Sequence, residues 1–201
     1  MFITFEGIDG VGKSTQLDLL ESYLVAKGHT VIRTMEPGGT DLGQEIRHLL
    51  LHRKGDVAPR SEALLYAADR AHHVATLIRP ALAEGKIVLS DRYFDSSVAY
   101  QGAARELEVA EVRDISLWAV GNLIPDLTVL LDLPADQAIA RRSAKGTEPD
   151  RLEREQVEFF ERARDEYLKM SAEPRFVVID AAQTPDKIHQ QVLERIQQLG
   201  F

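Results

Sequence analysis

Apolar residues recur along the chain in two alternating patterns, one typical of buried strands and one typical of amphipathic helices. Short runs rich in β-branched and aromatic residues predict strands at residues 2–5, 31–35, 87–89, 127–133 and 176–179. Several of these runs are apolar at consecutive positions, as expected of parallel strands that are covered on both faces. Segments with helical spacing lie between them, at residues 13–27, 41–52, 60–83, 109–122, 135–144, 152–170 and 185–199.

This alternation predicts the fold class. Strands that alternate with helices at this spacing form βαβ units with right-handed crossovers and a parallel sheet. We therefore expect an α/β fold, with a five-stranded parallel sheet flanked by helices, in a single domain over residues 1–201. Pro80 is expected to end or kink the long helix at 60–83.

One basic stretch, residues 141–155, does not fit the core pattern. It has few apolar residues, and two helix-breaking residues, Gly146 and Pro149, interrupt it. We expect it to be a charged, mobile excursion from the core. Its basic residues are Arg141, Arg142, Lys145, Arg151 and Arg154.

The composition excludes several classes of protein. The chain of 201 residues has no cysteine, which excludes a disulfide framework, thiol catalysis and thiolate metal sites. Its net charge of −8 argues against a protein that coats nucleic acid or an anionic membrane. No apolar run approaches the roughly 18 residues of a membrane span. The chain begins with a strand pattern and no basic leader, so we expect a cytoplasmic location.

Residues 7–14 read Gly-Ile-Asp-Gly-Val-Gly-Lys-Ser and fit the phosphate-binding pattern G-x-x-x-x-G-K-[ST]. They follow a predicted strand and open a predicted helix, which is the context that the motif requires. The backbone N–H groups and the helix N-terminus favour phosphate, Lys13 can reach the β- and γ-phosphates, and Ser14 can ligate Mg²⁺. The expected ATP-binding residues of this segment are Gly7, Ile8, Asp9, Gly10, Val11, Gly12, Lys13, Ser14 and Thr15.

A phosphate loop alone does not separate motors, molecular switches and kinases. A guanine-specific switch normally carries an N-K-x-D segment, which this chain lacks, and motors usually belong to longer chains. A small-molecule kinase remains, and it requires a second site for the acceptor. Asp91 ends a predicted strand, where ligands of α/β proteins bind, and can hold Mg²⁺ directly or through water. A helix cap or an ion pair with Arg92 is the alternative for Asp91, and Arg92 suits phosphate bidentately.

Four further segments carry a resemblance to a known family. They are residues 36–40 (Glu-Pro-Gly-Gly-Thr), residues 91–102 (Asp-Arg-Tyr-Phe-Asp-Ser-Ser-Val-Ala-Tyr-Gln-Gly), residues 125–128 with Leu131 and Asp132, and the basic segment ending in Asp150 and Arg151. With the phosphate loop, they resemble the thymidylate kinase family of nucleoside monophosphate kinases. The resemblance implies a P-loop kinase fold with a short basic lid at about 141–155. It also implies transfer of the ATP γ-phosphate to dTMP with Mg²⁺, and a homodimer.

The acceptor pocket can be predicted in part from chemistry. Tyr66 and Arg70 lie four residues apart on a predicted helix and share a face. Tyr66 offers an aromatic plane for a base, although a surface-capping tyrosine is the alternative, and Arg70 offers donors to a carbonyl such as thymine O4. Arg47 is expected to bind the acceptor phosphate, and Glu36 to orient Arg92 or metal-bound waters.

The resemblance implies roles for four more residues of the acceptor site. It implies that Asp9 contacts the sugar 3′-hydroxyl and that Ser97 lies near the pyrimidine. Tyr100 then crowds the sugar 2′ position, which disfavours ribonucleotides, and Gln101 reads a base edge.

The resemblance also implies a catalytic cation from the lid, because Gly10 occupies the position after Asp9 where one lid type of the family has an arginine. We expect Arg151, and next Arg142, to supply this cation. The remaining catalytic residues are then Lys13, Asp9 and Arg92. The adenine is expected to pack between Arg142 and residues 182–184.

Two alternative functions stay open at this point. A deoxynucleoside kinase on the same scaffold would accept a nucleoside and would not need Arg47 as a phosphate clamp. A nucleotide-dependent switch without an acceptor would leave the paired residues Tyr66 and Arg70 unexplained. The apolar helix that carries Trp118 is either core or part of the dimer interface that the resemblance implies.

Overall fold

The five predicted strands form one parallel sheet. The structure is a computed structural model that describes residues 1–144, 146 and 148–200. Its strands are β1 (Phe2–Glu6), β2 (Val31–Met35), β3 (Ile87–Asp91), β4 (Leu127–Asp132) and β5 (Phe176–Asp180). They lie in the order β2-β3-β1-β4-β5, and each neighbouring pair is parallel. The central strand β1 is buried at every position, as expected of a parallel strand covered on both faces.

Helices connect these strands and cover the sheet. They are α1 (Lys13–Ala26), α2 (Asp41–Leu51), α3 (Pro59–His73), α4 (Arg79–Ala83), α5 (Phe94–Ser97), α6 (Val109–Ala119), α7 (Ala135–Ser143), α8 (Val157–Met170) and α9 (Pro185–Gln198). Two π-helical segments, Val74–Ile78 and Val98–Ala104, continue α3 and α5. The α/β fold class is therefore confirmed. Across the described part of the chain, none of the helices has the length and hydropathy of a membrane span.

The chain does not end its helix at Pro80. Instead, the π-helical segment Val74–Ile78 precedes α4, and the Arg79 N–H donates to the Val74 carbonyl five residues back. Proline has no N–H to donate, and its ring clashes with the carbonyl four residues back in a regular α-helix. The wider π turn changes the hydrogen-bond register just before Pro80, and Pro80 then lies in the first turn of α4.

The basic segment 141–155 is less separate from the core than its composition predicts. Leu152 is buried, and Asp150 Oδ1 accepts hydrogen bonds of 2.9 Å from the N–H groups of Leu152 and Glu153. This side-chain-capped turn competes with helix formation, so α8 begins at Val157 and not at residue 152. Lys145, which belongs to the expected lid, lies outside the described residues.

Candidate active site

Two adjoining cavities are built around the segments that follow β1, β2 and β3. The loop cavity, with a volume of about 280 Å³, is lined by Asp9, Gly10, Gly12, Lys13, Ser14, Thr15, Met35, Glu36, Arg47, Asp91, Arg92, Arg142 and Glu153. The inner cavity, with a volume of about 90 Å³, is lined by Asp9, Glu36, Pro37, Arg47, Leu51, Tyr66, Arg70, Arg92, Tyr93, Ser96, Ser97, Tyr100, Gln101, Asp150 and Leu152. Four residues line both cavities and form a shared wall: Asp9, Glu36, Arg47 and Arg92. Two ligands can therefore meet end to end across two cations and two carboxylates.

The phosphate loop lies between β1 and α1, as the motif predicts. Gly10 has φ +99°, and a Cβ at this position would overlap the carbonyl oxygen of Ala138, so the loop requires glycine there. Lys13 begins α1, and its Nζ donates to the carbonyl oxygens of Gly7 and Ile8 at 3.0 and 3.2 Å. Burial and the charge of Arg92 lower the pKa of Lys13.

The predicted ATP-binding residues divide into two groups. Six of them line the loop cavity: Asp9, Gly10, Gly12, Lys13, Ser14 and Thr15. The side chains of Ile8 and Val11 are buried in the hydrophobic core, and Gly7 contributes a carbonyl oxygen to Lys13. These three residues support the conformation of the loop and do not line the cavity.

Asp9 and Arg92 form an ion pair on the shared wall. Arg92 Nη2 donates to Asp9 Oδ1 at 2.7 Å, and the Tyr100 hydroxyl donates to Asp9 Oδ2 at 3.3 Å. Burial alone would raise the pKa of Asp9, but the positive charges of Arg92 and Lys13 outweigh it and hold the pKa well below its usual range. Asp9 is therefore an ionised acceptor that faces both cavities.

Three residues behind Arg92 were missed by the sequence reasoning. Glu6 Oε2 accepts hydrogen bonds from Ser96 Oγ at 2.6 Å and from the Tyr167 hydroxyl at 2.8 Å. Both hydroxyls accept from Arg92 Nη1, at 3.0 and 3.3 Å, so Glu6 holds the guanidinium through two intermediaries. Burial and the charge of Asp95 raise the pKa of Glu6 to about 7. The position of Glu6 at the end of a strand that is buried at every residue, directly before the phosphate loop, was the available signal.

The inner cavity brings together the residues that the sequence reasoning assigned to an acceptor. Arg70 is buried, and its guanidinium donates to Glu36 Oε2 at 2.6 Å and to Ser97 Oγ at 3.0 Å. Tyr66 and Gln101 line the same cavity from α3 and from the π-helical segment. The predicted acceptor residues found here are Asp9, Glu36, Arg47, Tyr66, Arg70, Arg92, Ser97, Tyr100 and Gln101.

Glu36 lies on the shared wall with different partners from those expected, and Arg47 lies on the same wall beside a backbone carbonyl. Glu36 Oε1 lies 2.9 Å from His73 Nδ1, and its other oxygen binds Arg70, so the buried carboxylate does not orient Arg92. Arg47 Nη1 donates to the Pro37 carbonyl at 2.8 Å, which holds its guanidinium beside both cavities.

The arginines of the basic segment have separate positions. Arg142 lines the loop cavity, donates to the Glu153 carbonyl at 2.7 Å and packs on the Phe160 ring. Arg151 lines neither cavity; its Nε donates to the Leu50 carbonyl at 2.7 Å, and its Nη2 pairs with Glu62. The catalytic role of Arg151 therefore stays a prediction that its side-chain position does not support.

The loop cavity has the oxygen donors that Mg²⁺ prefers. Ser14 is exposed there, and Asp91, at the end of β3, lines the same space. The described residues include no group of three or more acidic or histidine side chains that could hold a metal. The donor set fits Mg²⁺, which usually takes one or two protein ligands and fills its remaining positions with phosphate and water.

Comparisons with known proteins identify the family. The sequence model of the family described as Thymidylate kinase matches residues 5–192. A protein named Thymidylate kinase from Leifsonia xyli subsp. xyli is 59% identical over 197 residues, which cover 98% of this chain and 94% of that protein. Another of that name, from Clavibacter sepedonicus, is 62% identical over 183 residues, covering 90% and 87%. A third, from Bifidobacterium longum, is 50% identical over 206 residues, covering 100% and 98%.

Proposed function

The chain belongs to the thymidylate kinase family and is a kinase of dTMP, and we propose that it moves the γ-phosphate of ATP to dTMP across the wall shared by its two cavities. The single observation that carries this proposal is the composition of that wall. Arg47 and Arg92 lie between a phosphate loop on one side and a pocket with an aromatic ring and polar side chains on the other. A wall of this kind suits two phosphates that must meet.

We propose that ATP occupies the loop cavity. Its β- and γ-phosphates replace the carbonyl oxygens of Gly7 and Ile8 as partners of the Lys13 ammonium, since phosphate is the stronger acceptor. Arg142, which lines the same cavity, adds positive charge. Mg²⁺, held by Ser14 and Asp91 directly or through water, would neutralise phosphate charge when bound.

We propose that dTMP occupies the inner cavity, with its base against Tyr66. Arg70 donates to a carbonyl of the base, and Ser97 and Gln101 complete the polar edge. The sugar then lies near Asp9, whose ionised carboxylate accepts a hydrogen bond from the 3′-hydroxyl. Tyr100 donates to the same carboxylate, so its ring stands where a 2′-hydroxyl would need space.

Catalysis then depends on charge and position. Arg47 and Arg92 hold the acceptor phosphate, while Lys13 and Arg142 hold the donor phosphates, so both reactants are aligned before the reaction. Fixed positive charges stabilise the negative charge on the equatorial oxygens of the phosphoryl group during transfer. The segment around Leu152 lines the inner cavity and helps to exclude water, which would otherwise accept the phosphoryl group.

Initial rates with a panel of acceptors test this function. We expect kcat/KM to be highest for dTMP and negligible for thymidine, which lacks the phosphate that Arg47 and Arg92 bind. Equal or better turnover of AMP, CMP or GMP would contradict the proposed acceptor. A preference for thymidine would favour a deoxynucleoside kinase, and slow ATP hydrolysis without any acceptor would favour a nucleotide-dependent switch.

We propose two further properties, a homodimer and a cytoplasmic location. Support for the dimer comes from exposed apolar side chains on α3 and α6. Leu64, which is 54% exposed, lines one groove with Ile115, and Trp118, which is 80% exposed, follows Ile115 by three residues on α6. Large apolar side chains that are grouped and exposed commonly mark an interface. We expect Trp118→Glu to raise the monomer fraction in sedimentation equilibrium, and an unchanged molecular mass would contradict an interface at this face.

A further inference from the structure

Glu62, on α3, is a buried carboxylate that the proposed reaction does not use. Its side chain is fully buried, and three side chains bind it. Gln101 Nε2 donates to Oε1 at 2.9 Å, Arg105 Nε donates to the same oxygen at 3.3 Å, and Arg151 Nη2 donates to Oε2. A charge removed from water in this way is costly unless it is paired, and here two arginines pair with it.

The contact with Glu62 fixes which end of the Gln101 amide faces the inner cavity. A side-chain amide has a donor end and an acceptor end, and a half-turn exchanges them. An ionised carboxylate only accepts hydrogen bonds, so the amide nitrogen must face Glu62. Gln101 is 1% exposed and lines the inner cavity, so its amide oxygen is left for a ligand there.

We infer that Glu62 is a positioning residue that holds the Gln101 amide oxygen toward the acceptor base and thereby selects a base with an N–H at that edge over one with a lone pair. This inference rests on the proposed function. Thymine presents a carbonyl beside its N3–H, which matches a donor from Arg70 and an acceptor from Gln101. Cytosine presents an amino group beside an unprotonated N3, so both polar contacts are mismatched.

Glu62 also connects the base-reading amide to the basic segment. Arg151 reaches Glu62 from that segment, and its neighbours Asp150 and Leu152 line the inner cavity. The same carboxylate therefore holds the amide on one side of the cavity and the segment on another. The contact of Arg151 with Glu62 thus gives Arg151 a structural role that does not involve phosphate.

The test compares the wild-type enzyme with Glu62→Gln, using dTMP, dCMP and dUMP as acceptors. A glutamine at position 62 can donate as well as accept, so the Gln101 amide can turn and present its nitrogen to the base. We expect the ratio of kcat/KM for dTMP to that for dCMP to fall about tenfold, the scale of one hydrogen bond. The ratio for dTMP to dUMP stays unchanged, because uracil has the same N3–H and carbonyl edge.

A general loss of structure would lower all three rates together, so the two ratios separate positioning from folding. Glu84→Gln, at an exposed glutamate that pairs with Lys86, is the matched control and should leave both ratios unchanged. Glu62→Asp keeps a negative charge near the two arginines, but its shorter side chain draws the carboxylate away from Gln101. It replaces Glu62→Gln if that variant does not fold. It should lower the same ratio.

A dTMP-to-dCMP ratio within about twofold of wild type in the folded variant would overturn the inference. An equal fall in the dTMP-to-dUMP ratio would overturn it as well. Neither result would contradict the proposed function. That function is contradicted only if the wild-type enzyme itself does not prefer dTMP.

Discussion

Replacement of Arg70 by methionine separates two uses of one guanidinium, in the fold and in the acceptor site. Arg70 is 1% exposed, and it donates to Glu36, Ser97, Ser116 and the Tyr93 carbonyl at 2.6–3.5 Å. Methionine fills much of the space of the aliphatic stem but provides no donor.

The cost to stability follows from the partners that Glu36 keeps when Arg70 is replaced. Glu36 is 3% exposed, and His73 is the one side-chain partner that it keeps among the described residues, so a buried carboxylate loses its permanent cation. Removal of one partner from a buried ion pair costs about 3–5 kcal/mol. If Glu36→Gln is added to Arg70→Met, neither charge of the pair stays buried without its partner. The loss of unfolding free energy in the double variant should therefore be about 1–3 kcal/mol smaller than the sum of the losses in the two single variants.

Urea unfolding of the wild type, both single variants and the double variant measures this coupling. In the same preparations, steady-state kinetics should show a raised KM for dTMP with a smaller effect on kcat, because the lost donor binds the base and not the transferred phosphoryl group. A stability loss below about 1 kcal/mol for Arg70→Met, or strictly additive losses, would refute the buried pair. An unchanged KM in a folded variant would remove Arg70 from the acceptor site.

The other predictions concern the phosphate loop and Glu6. Lys13→Ala should lower kcat by about 10²-fold or more, because a charge that stabilises the transition state is lost; a change confined to the KM for ATP in initial-rate assays would contradict this. Gly10→Ala should abolish ATP binding in calorimetry, because its Cβ would overlap the Ala138 carbonyl. Gly12→Ala, whose Cβ would meet open space, should bind ATP more weakly than wild type but measurably. Equal ATP affinities of the two variants would contradict the loop geometry. The pKa of Glu6 is raised to about 7 in the folded protein from 4.5, so its favourable contribution to stability is complete below pH 4.5 and is lost as the pH rises through 7. Urea unfolding from pH 5 to 8 should therefore show the stability of wild type falling relative to Glu6→Gln by on the order of 3 kcal/mol, and parallel curves would contradict the raised pKa.

The sequence supports prediction of the features that depend on local spacing. The strands, the phosphate loop and the pair Tyr66 and Arg70 all follow from periodicity or from a short motif. Ser97 and Gln101 also lie four residues apart, and both line one cavity, although the segment between them is π-helical. A spacing of four residues keeps side chains on nearby faces in either kind of helix.

The features that the sequence does not reveal depend on partners far along the chain. Glu62 meets Gln101 and Arg151, which lie 39 and 89 positions away, and Glu6 meets Tyr167 at a separation of 161 positions. No periodicity relates such residues, so buried carboxylates look like ordinary surface charges in the sequence. The same limit explains why Arg151, in a basic run, is predicted to meet phosphate although its side chain pairs with a carboxylate.

A crystal structure of the enzyme with dTMP and a non-hydrolysable ATP analogue tests the central claim most directly. We predict the triphosphate on residues 7–14 and the thymine base beside Tyr66 and Arg70. The acceptor phosphate oxygen should then lie about 3–3.5 Å from the γ-phosphorus, next to Arg47 and Arg92. A dTMP molecule bound outside the inner cavity, or two phosphates that do not meet at the shared wall, would contradict the account.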